Sequence, residues 1–228
     1  MANMKGSILG KLRGTVGGFT SRIVNGKNLI CDLPASFTPS NKDEAIVRRQ
    51  TFAITSKFTR AIYKAPLLPL IWESRRPAGQ TAYNFIFQTN YRQVSSGKLT
   101  DLNTITPLFG FPVTISSVNL TAASFQVEIA PLGTTASFDT SLEVKTALVM
   151  IVFMNNPVDT QGNDFFLYTA EFPSQPLQLD ASLSFTRQLK DEEPIYFSKY
   201  ADHKAYFALI TLDSNDKPVK FSMTNVSN

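Results

Sequence analysis

Four groups of residues in this chain carry side chains that do chemistry in other settings. They are the glycines and Lys11 of GSILGKLRG (6–14), the single His203 with the single Cys31, the runs DTQGND (159–164) and DSNDK (213–217), and Asp191-Glu192-Glu193. A phosphate cradle needs the order G-x-x-x-x-G-K-[ST] between a strand and a helix, because successive backbone N–H groups must converge on the phosphate. Here Gly6 and Gly10 are separated by three residues, Lys11 is followed by Leu12, and no strand precedes them. The run GTVGGF lacks the dinucleotide-binding glycine order as well. No nucleotide site is expected.

Nucleophilic catalysis would have to recruit His203, in YADHKAYF, and there is no G-x-S-x-G elbow to pair with it. Cys31 lies in a strand-like segment. One cysteine and one histidine cannot build a usual structural zinc site, and one cysteine leaves no internal disulfide. The two Asp- and Asn-rich runs have oxygen donors for a hard cation but lack EF-hand spacing, and hairpin loops favour these residues anyway. Asp191 to Glu193, just before Pro194, reads as a solvated turn. No catalytic residue, cofactor or metal is expected, and the protein is read as non-enzymatic.

The elements that would position any site change character near residue 98. Thr15–Val24 and Lys27–Leu33 flank Asn25-Gly26, the strongest short hairpin signal, because both turn positions need positive φ. Ser40 with Asp43 forms a capping box, predicting a helix from about Asn41 to Tyr63, with Phe52, Thr55, Phe58 or Thr59, and Ile62 on one stripe. Phe52 and Phe58 are expected to be buried. Pro66 and Pro69 interrupt, and a second helix is predicted from Gln80 to about Val94, framed by Gly79 and Gly97. Beyond residue 98, eight alternating or β-branched runs follow: PVTISSVNL, SFQVEIA, LEVKTALVMIVFMN, DFFLYTAEF, LQLDASLSFTR, PIYFSKY, KAYFALITL and PVKFSMTNV. ALVMIVFM is apolar on both faces and should be a central strand. The fold class is therefore α+β, mainly β: an N-terminal arm, β-hairpin and helices, then an antiparallel immunoglobulin-like β-sandwich without a Cys…Trp…Cys arrangement. The expected domains are 1–98, the basic glycine-rich arm, hairpin and helical region, and 99–228, the sandwich.

Charge divides at the same place. Residues 1–98 hold 15 Lys and Arg against 4 Asp and Glu, a net of +11; residues 99–228 hold 7 against 14, a net of −7. Such polarity suits a polyanion partner, or copies of one chain attracting head to tail. A solvated helical face rich in Lys and Arg would also account for it. With 43% hydrophobic residues, 18 Phe and 7 Tyr, the 228-residue chain has ample material for a core. The opening MANMKGSILGKLRG has no apolar segment of a secretory signal, and no run approaches the roughly 18 apolar residues of a membrane span. The chain reads as soluble and cytoplasmic.

The motifs GSILGKLRGTVGG, LICDLP and RRQTFAITSKF, with TAYNFIFQTN, TALVMIVFMNNP and the closing YFALITLDSNDKPVKFSMTN, are similar to an uncharacterised family of small Bacteroidota proteins of unknown function. The likeness covers most of the chain and departs in the longer loops at 131–139 and 188–194. It implies one fold from end to end and brings no catalytic residues.

The glycines then read as backbone devices. A leader of small residues with isolated apolar anchors cannot hold itself in place, but it can dock on a neighbouring subunit by strand addition. The candidate assembly arm comprises Lys5, Ile8, Leu9, Lys11, Leu12, Arg13, Val16 and Phe19. The expected function is a structural protein that self-assembles through this arm as a homo-oligomer, such as a virion or phage-derived shell, tube or filament subunit. Its partners would be copies of itself and other structural subunits, in a virion or a cytoplasmic assembly, with no membrane. The alternative is a nucleic-acid-binding protein using the basic half, with Phe19, Tyr63, Tyr83 or Tyr91 stacking on bases.

Overall fold

The computed structural model describes residues 14–24, 26–32, 38–133, 138–159 and 163–227. The chain divides into two compact units, Met1–Lys42 and Asp43–Asn228. Of the arm, Lys5, Ile8, Leu9, Lys11, Leu12 and Arg13 lie outside the described residues. With 39% strand and 23% helix, and antiparallel sheets throughout, the fold is α+β and mainly β.

The first unit holds a three-stranded antiparallel meander: β1 (Gly14–Val16), β2 (Phe19–Val24) and β3 (Lys27–Asp32). Gly17 and Gly26, each at the end of a tight connection, have φ of +57° and +76°, values that only glycine adopts without strain. The Asn25-Gly26 signal therefore joins β2 to β3 in the register Val24↔Lys27, and a further short turn folds β1 back on β2.

The second unit is organised by two long strands, β6 (Lys145–Pro157) and β10 (Tyr200–Leu212), paired antiparallel over most of their length. Strand period sends alternate side chains to opposite faces. Val149, Ile151 and Phe153 of β6 join Tyr206, Ala208 and Ile210 of β10 in one cluster, and Met150, Val152 and Met154 join Ala205, Phe207 and Leu209 in another. ALVMIVFM is thus central and buried on both faces, as its composition demands. The flanks of this sheet are split: β7 (Phe165–Glu171) and β8 (Gln175–Pro176) lie beside β6, while β11 (Pro218–Phe221) and β12 (Asn225–Ser227) lie beside β10.

The first cluster is completed by helices α1 (Asp43–Lys64), α2 (Leu68–Arg75) and α3 (Ala82–Tyr91). Ile54, Phe58 and Ile62 of α1 are buried, and the Phe58 ring lies 5.3 Å from that of Tyr206. Trp72 of α2 donates through Nε1 to the Ile105 carbonyl at 2.9 Å. The second cluster is completed by a three-stranded sheet, β4 (Ile115–Leu120), β5 (Ser124–Ile129) and β9 (Leu183–Gln188), through Phe125, Val127, Ile129, Leu183 and Phe185.

Four sequence readings are corrected. Phe52 is 58% exposed, because the buried stripe runs through residues 54, 55, 58, 59 and 62, and residue 52 stands about 120° round the helix from Phe58. PIYFSKY is not a strand: Glu193–Ser198 forms helix α4, with Pro194 in its first turn, where the missing N–H costs nothing. Pro69 likewise opens α2, where the sequence reading saw only an interruption. PVKFSMTNV breaks into β11 and β12 around Ser222–Thr224, which receive the segment leaving α3. Phe111 donates its N–H to the Phe221 carbonyl, and Met223 donates to the Phe111 carbonyl, both at 3.0 Å. Gly110 makes this approach close; a Cβ there would lie 2.4 Å from the Met223 nitrogen.

Candidate functional site

The register of the N-terminal meander assigns its two faces. Directly opposed residues share a face, so Phe19, Ser21 and Ile23 lie with Asp32, Ile30 and Asn28, while Thr20, Arg22 and Val24 lie with Cys31, Leu29 and Lys27. The first face sets Phe19, Ile23 and Ile30 among Ser21, Asn28 and Asp32; the second carries both basic residues with Val24, Leu29 and Cys31. Phe19 is 55% and Ile30 60% exposed, and every residue of β3 is exposed. Of the sequence-chosen arm residues, the structure brings two together: Val16 and Phe19 are paired across the β1–β2 turn. Ile23 and Ile30 share the face of Phe19 and were missed. The alternation in FTSRIV and KNLICD, read in the register set by Asn25-Gly26, would have found them.

His203 lies in β10, beside a polar cavity of about 750 Å³ also lined by Lys98, Asn119, Asn155, Asp202 and Lys204. Its ring stacks on Phe197 at 3.8 Å, and Nε2 donates to the Phe197 carbonyl at 2.9 Å. That bond fixes the Nε2 proton, and no hydroxyl, thiol or carboxylate among the described residues hydrogen-bonds either ring nitrogen. Lys204 pairs with Asp101, and the Asn156 amide donates to Asp202. The imidazole is packed on the Phe197 ring and tied to the Phe197 carbonyl.

Two of the carboxylates singled out by the sequence, Asp213 and Glu193, accept from local backbone amides. Asp213 accepts from the amides of Asn215 (2.8 Å) and Lys217 (2.9 Å), closing its own hairpin loop, and these bonds hold its carboxyl below the usual range. Glu193 accepts from Tyr168, Arg187 (2.8 Å) and the Lys190 amide (3.0 Å). Burial pushes its carboxyl up, but these donors outweigh burial and hold it low; burial and the same contact push the Tyr168 phenol up. Among the described residues, no three His, Cys, Asp or Glu side chains converge as metal ligands.

Two polar networks escaped the sequence reading. Glu143 is buried and accepts from Thr211 Oγ1 (2.6 Å), Lys220 Nζ (2.7 Å) and the Asp139 amide (2.8 Å). Asn90 and Asn103, both fully buried, satisfy each other: Asn90 Oδ1 accepts from Asn103 Nδ2 (3.1 Å) and the Thr104 amide (2.8 Å), while Asn90 Nδ2 donates to the Ile86 and Thr104 carbonyls. Asn90 is the last residue of the quoted TAYNFIFQTN. These groups fasten α3 to the following loop and β6 to the β10–β11 hairpin; they are structural.

Two features of the second unit face outward. Phe109, at φ of 69°, is 95% exposed at the tip of the loop anchored by Gly110, with Leu108 exposed beside it. A groove of about 360 Å³ runs between α1 and β7, lined by Lys57, Arg60 and Lys64 on one side and Phe165, Phe166 and Leu167 on the other. Of the aromatics considered for base stacking, Tyr63 packs edge-on against Tyr83 at 5.9 Å and Tyr91 stacks on Phe87 at 5.4 Å.

Among the described residues, no helix is long and apolar enough to cross a membrane. No protein-family model matches the chain, and no curated protein matches it.

Proposed function

We propose that this protein is a non-enzymatic structural subunit that assembles with copies of itself through its N-terminal segment. One observation carries the reading. The β1–β3 meander sets Phe19, Ile23 and Ile30 on one face, and among the described residues of its own unit no second layer covers them. A lone small sheet is marginal in water, because burial of roughly 25 cal/mol per Å² of apolar surface must offset the cost of ordering its backbone. A neighbouring subunit supplies the missing layer, and the leader before Gly14 adds reach. The exposed Leu108 and Phe109 support a subunit surface as well, since large apolar side chains held out in solvent suit a contact.

Within this reading, the β4–β5–β9 sheet and the β6–β10 sheet form an immunoglobulin-like sandwich, supported by the cluster their inner residues share. A crystal structure in which Phe125 and Val127 do not face Met150 and Phe207 would remove that part. The assembly itself is a shell, tube or filament of virion or phage type, supported only by the arm and the charge polarity.

The test is sedimentation velocity on nuclease-treated protein. The expected outcome is a defined oligomer that persists when salt is raised to about 0.5 M, because apolar contacts and strand pairing outlast screening. Assembly that requires added nucleic acid and collapses with salt would instead favour the polyanion reading. Deleting residues 2–13 should leave a folded monomer; a deletion variant that assembles like the full chain refutes the arm.

A further inference from the structure

The groove between α1 and β7 combines two features that point to one kind of ligand. β7 pairs with β6 alone, so its outer edge presents backbone donors and acceptors that no other strand takes up, and at its end the Glu171 carbonyl accepts from Arg187 Nη1 at 3.4 Å. Beside that edge, α1 places Lys57, Arg60 and Lys64 along one face, at the spacing that brings successive turns together. All three are exposed, and none belongs to an ion pair among the described residues. Lys57 Nζ lies 4.5 Å above the Phe165 ring, leaning over the groove floor.

We propose that this groove binds an extended, acidic peptide segment, which adds as a strand to β7. Side chains of an added strand alternate between faces. Those on the α1 side meet Lys57, Arg60 and Lys64, so carboxylates belong there. Those on the other side run beside Phe166, which stacks on Tyr196 at 5.3 Å, so apolar residues belong there. The recognition pattern is therefore alternating acidic and apolar residues, with main-chain pairing for affinity and the helix cations for selection. The protein's own basic leader has the wrong charge for this groove, so the site is distinct from the self-assembly proposed above and stands without it.

The test is fluorescence anisotropy on the full chain with a labelled alternating Val-Glu peptide of about eight residues, long enough to run along β7 at about 3.4 Å per residue. The expected result is saturable binding, at least about tenfold tighter than that of an alternating Val-Lys peptide. The exposed substitutions Lys57→Glu, Arg60→Glu and Lys64→Glu, made together, should reverse the preference while leaving the thermal transition in place. N-methylation of alternate amides on the peptide should abolish binding. Failure of the Val-Glu peptide to bind overturns the proposal. So does equal binding by the N-methylated peptide, an unchanged preference after charge reversal, or complete displacement by a short oligothymidylate that binds more tightly.

Discussion

Two antiparallel strand pairs in this molecule follow the same alternation and meet opposite fates. In β6 and β10, both faces are buried: helices take Val149, Ile151 and Tyr206, and the small sheet takes Met150, Val152 and Phe207. In β2 and β3 neither face is buried among the described residues, although one face holds Phe19, Ile23 and Ile30, each opposed by a polar residue. The second unit contains everything its central strands need. The first unit has apolar side chains that its described residues leave uncovered, the observation behind the proposed assembly.

The sharpest contrast should come from the core. Phe58→Ala, at a fully buried ring against Tyr206, is expected to cost about 3–5 kcal/mol in denaturant unfolding. A loss under about 1 kcal/mol would mean the helices do not cover the central sheet as described. Asn90→Ala should cost about 1–3 kcal/mol, because the Thr104 amide loses its acceptor and Asn103 Nδ2 keeps only the Asn90 main-chain carbonyl. A neutral outcome would mean water replaces that acceptor.

Glu143 gives the comparison a pH axis. Burial alone would raise its carboxyl, but Lys220, Thr211 and the Asp139 amide outweigh burial and hold it below its ordinary 4.5. Its contribution is therefore fully present above that value and is lost as pH falls through the lower folded value. Stability should decline as pH falls below 4.5, and Glu143→Gln should flatten that decline. An unchanged slope in the variant would assign the acid sensitivity elsewhere. Phe52→Ala, at a half-exposed ring touching only Phe87 among the aromatics, should cost under about 1 kcal/mol, in contrast with Phe58.

These contrasts mark what could be read in the sequence. The Asn25-Gly26 turn and the doubly apolar ALVMIVFM were legible because local geometry and two-sided burial each leave a direct compositional trace. EPIYFS was not: its aromatic and β-branched content suits a strand, and only Pro194 hinted at a helix start. Phe52 was misassigned because spacing alone cannot say which of two adjacent stripes meets the sheet; in the structure the buried one centres on Phe58. The buried networks around Glu143 and Asn90 were invisible, since their partners lie far away in sequence or in a loop with no periodic signal. The shared face of Phe19, Ile23 and Ile30 lay within reach, because the turn fixes the register and the register fixes the face.

Leu29 and Ile30 test the central claim most directly, being adjacent residues on opposite faces of β3. Sedimentation velocity of nuclease-treated Ile30→Lys and Leu29→Lys proteins should separate them. Both exposed substitutions should leave stability within about 0.5 kcal/mol of the parent. Ile30→Lys, which places a charge on the Phe19–Ile23 face, should sediment as a monomer, while Leu29→Lys, on the face that already carries Arg22 and Lys27, should keep the parent's oligomeric mass. Equal masses for the two variants, whether both assembled or both monomeric, would contradict assembly through that face.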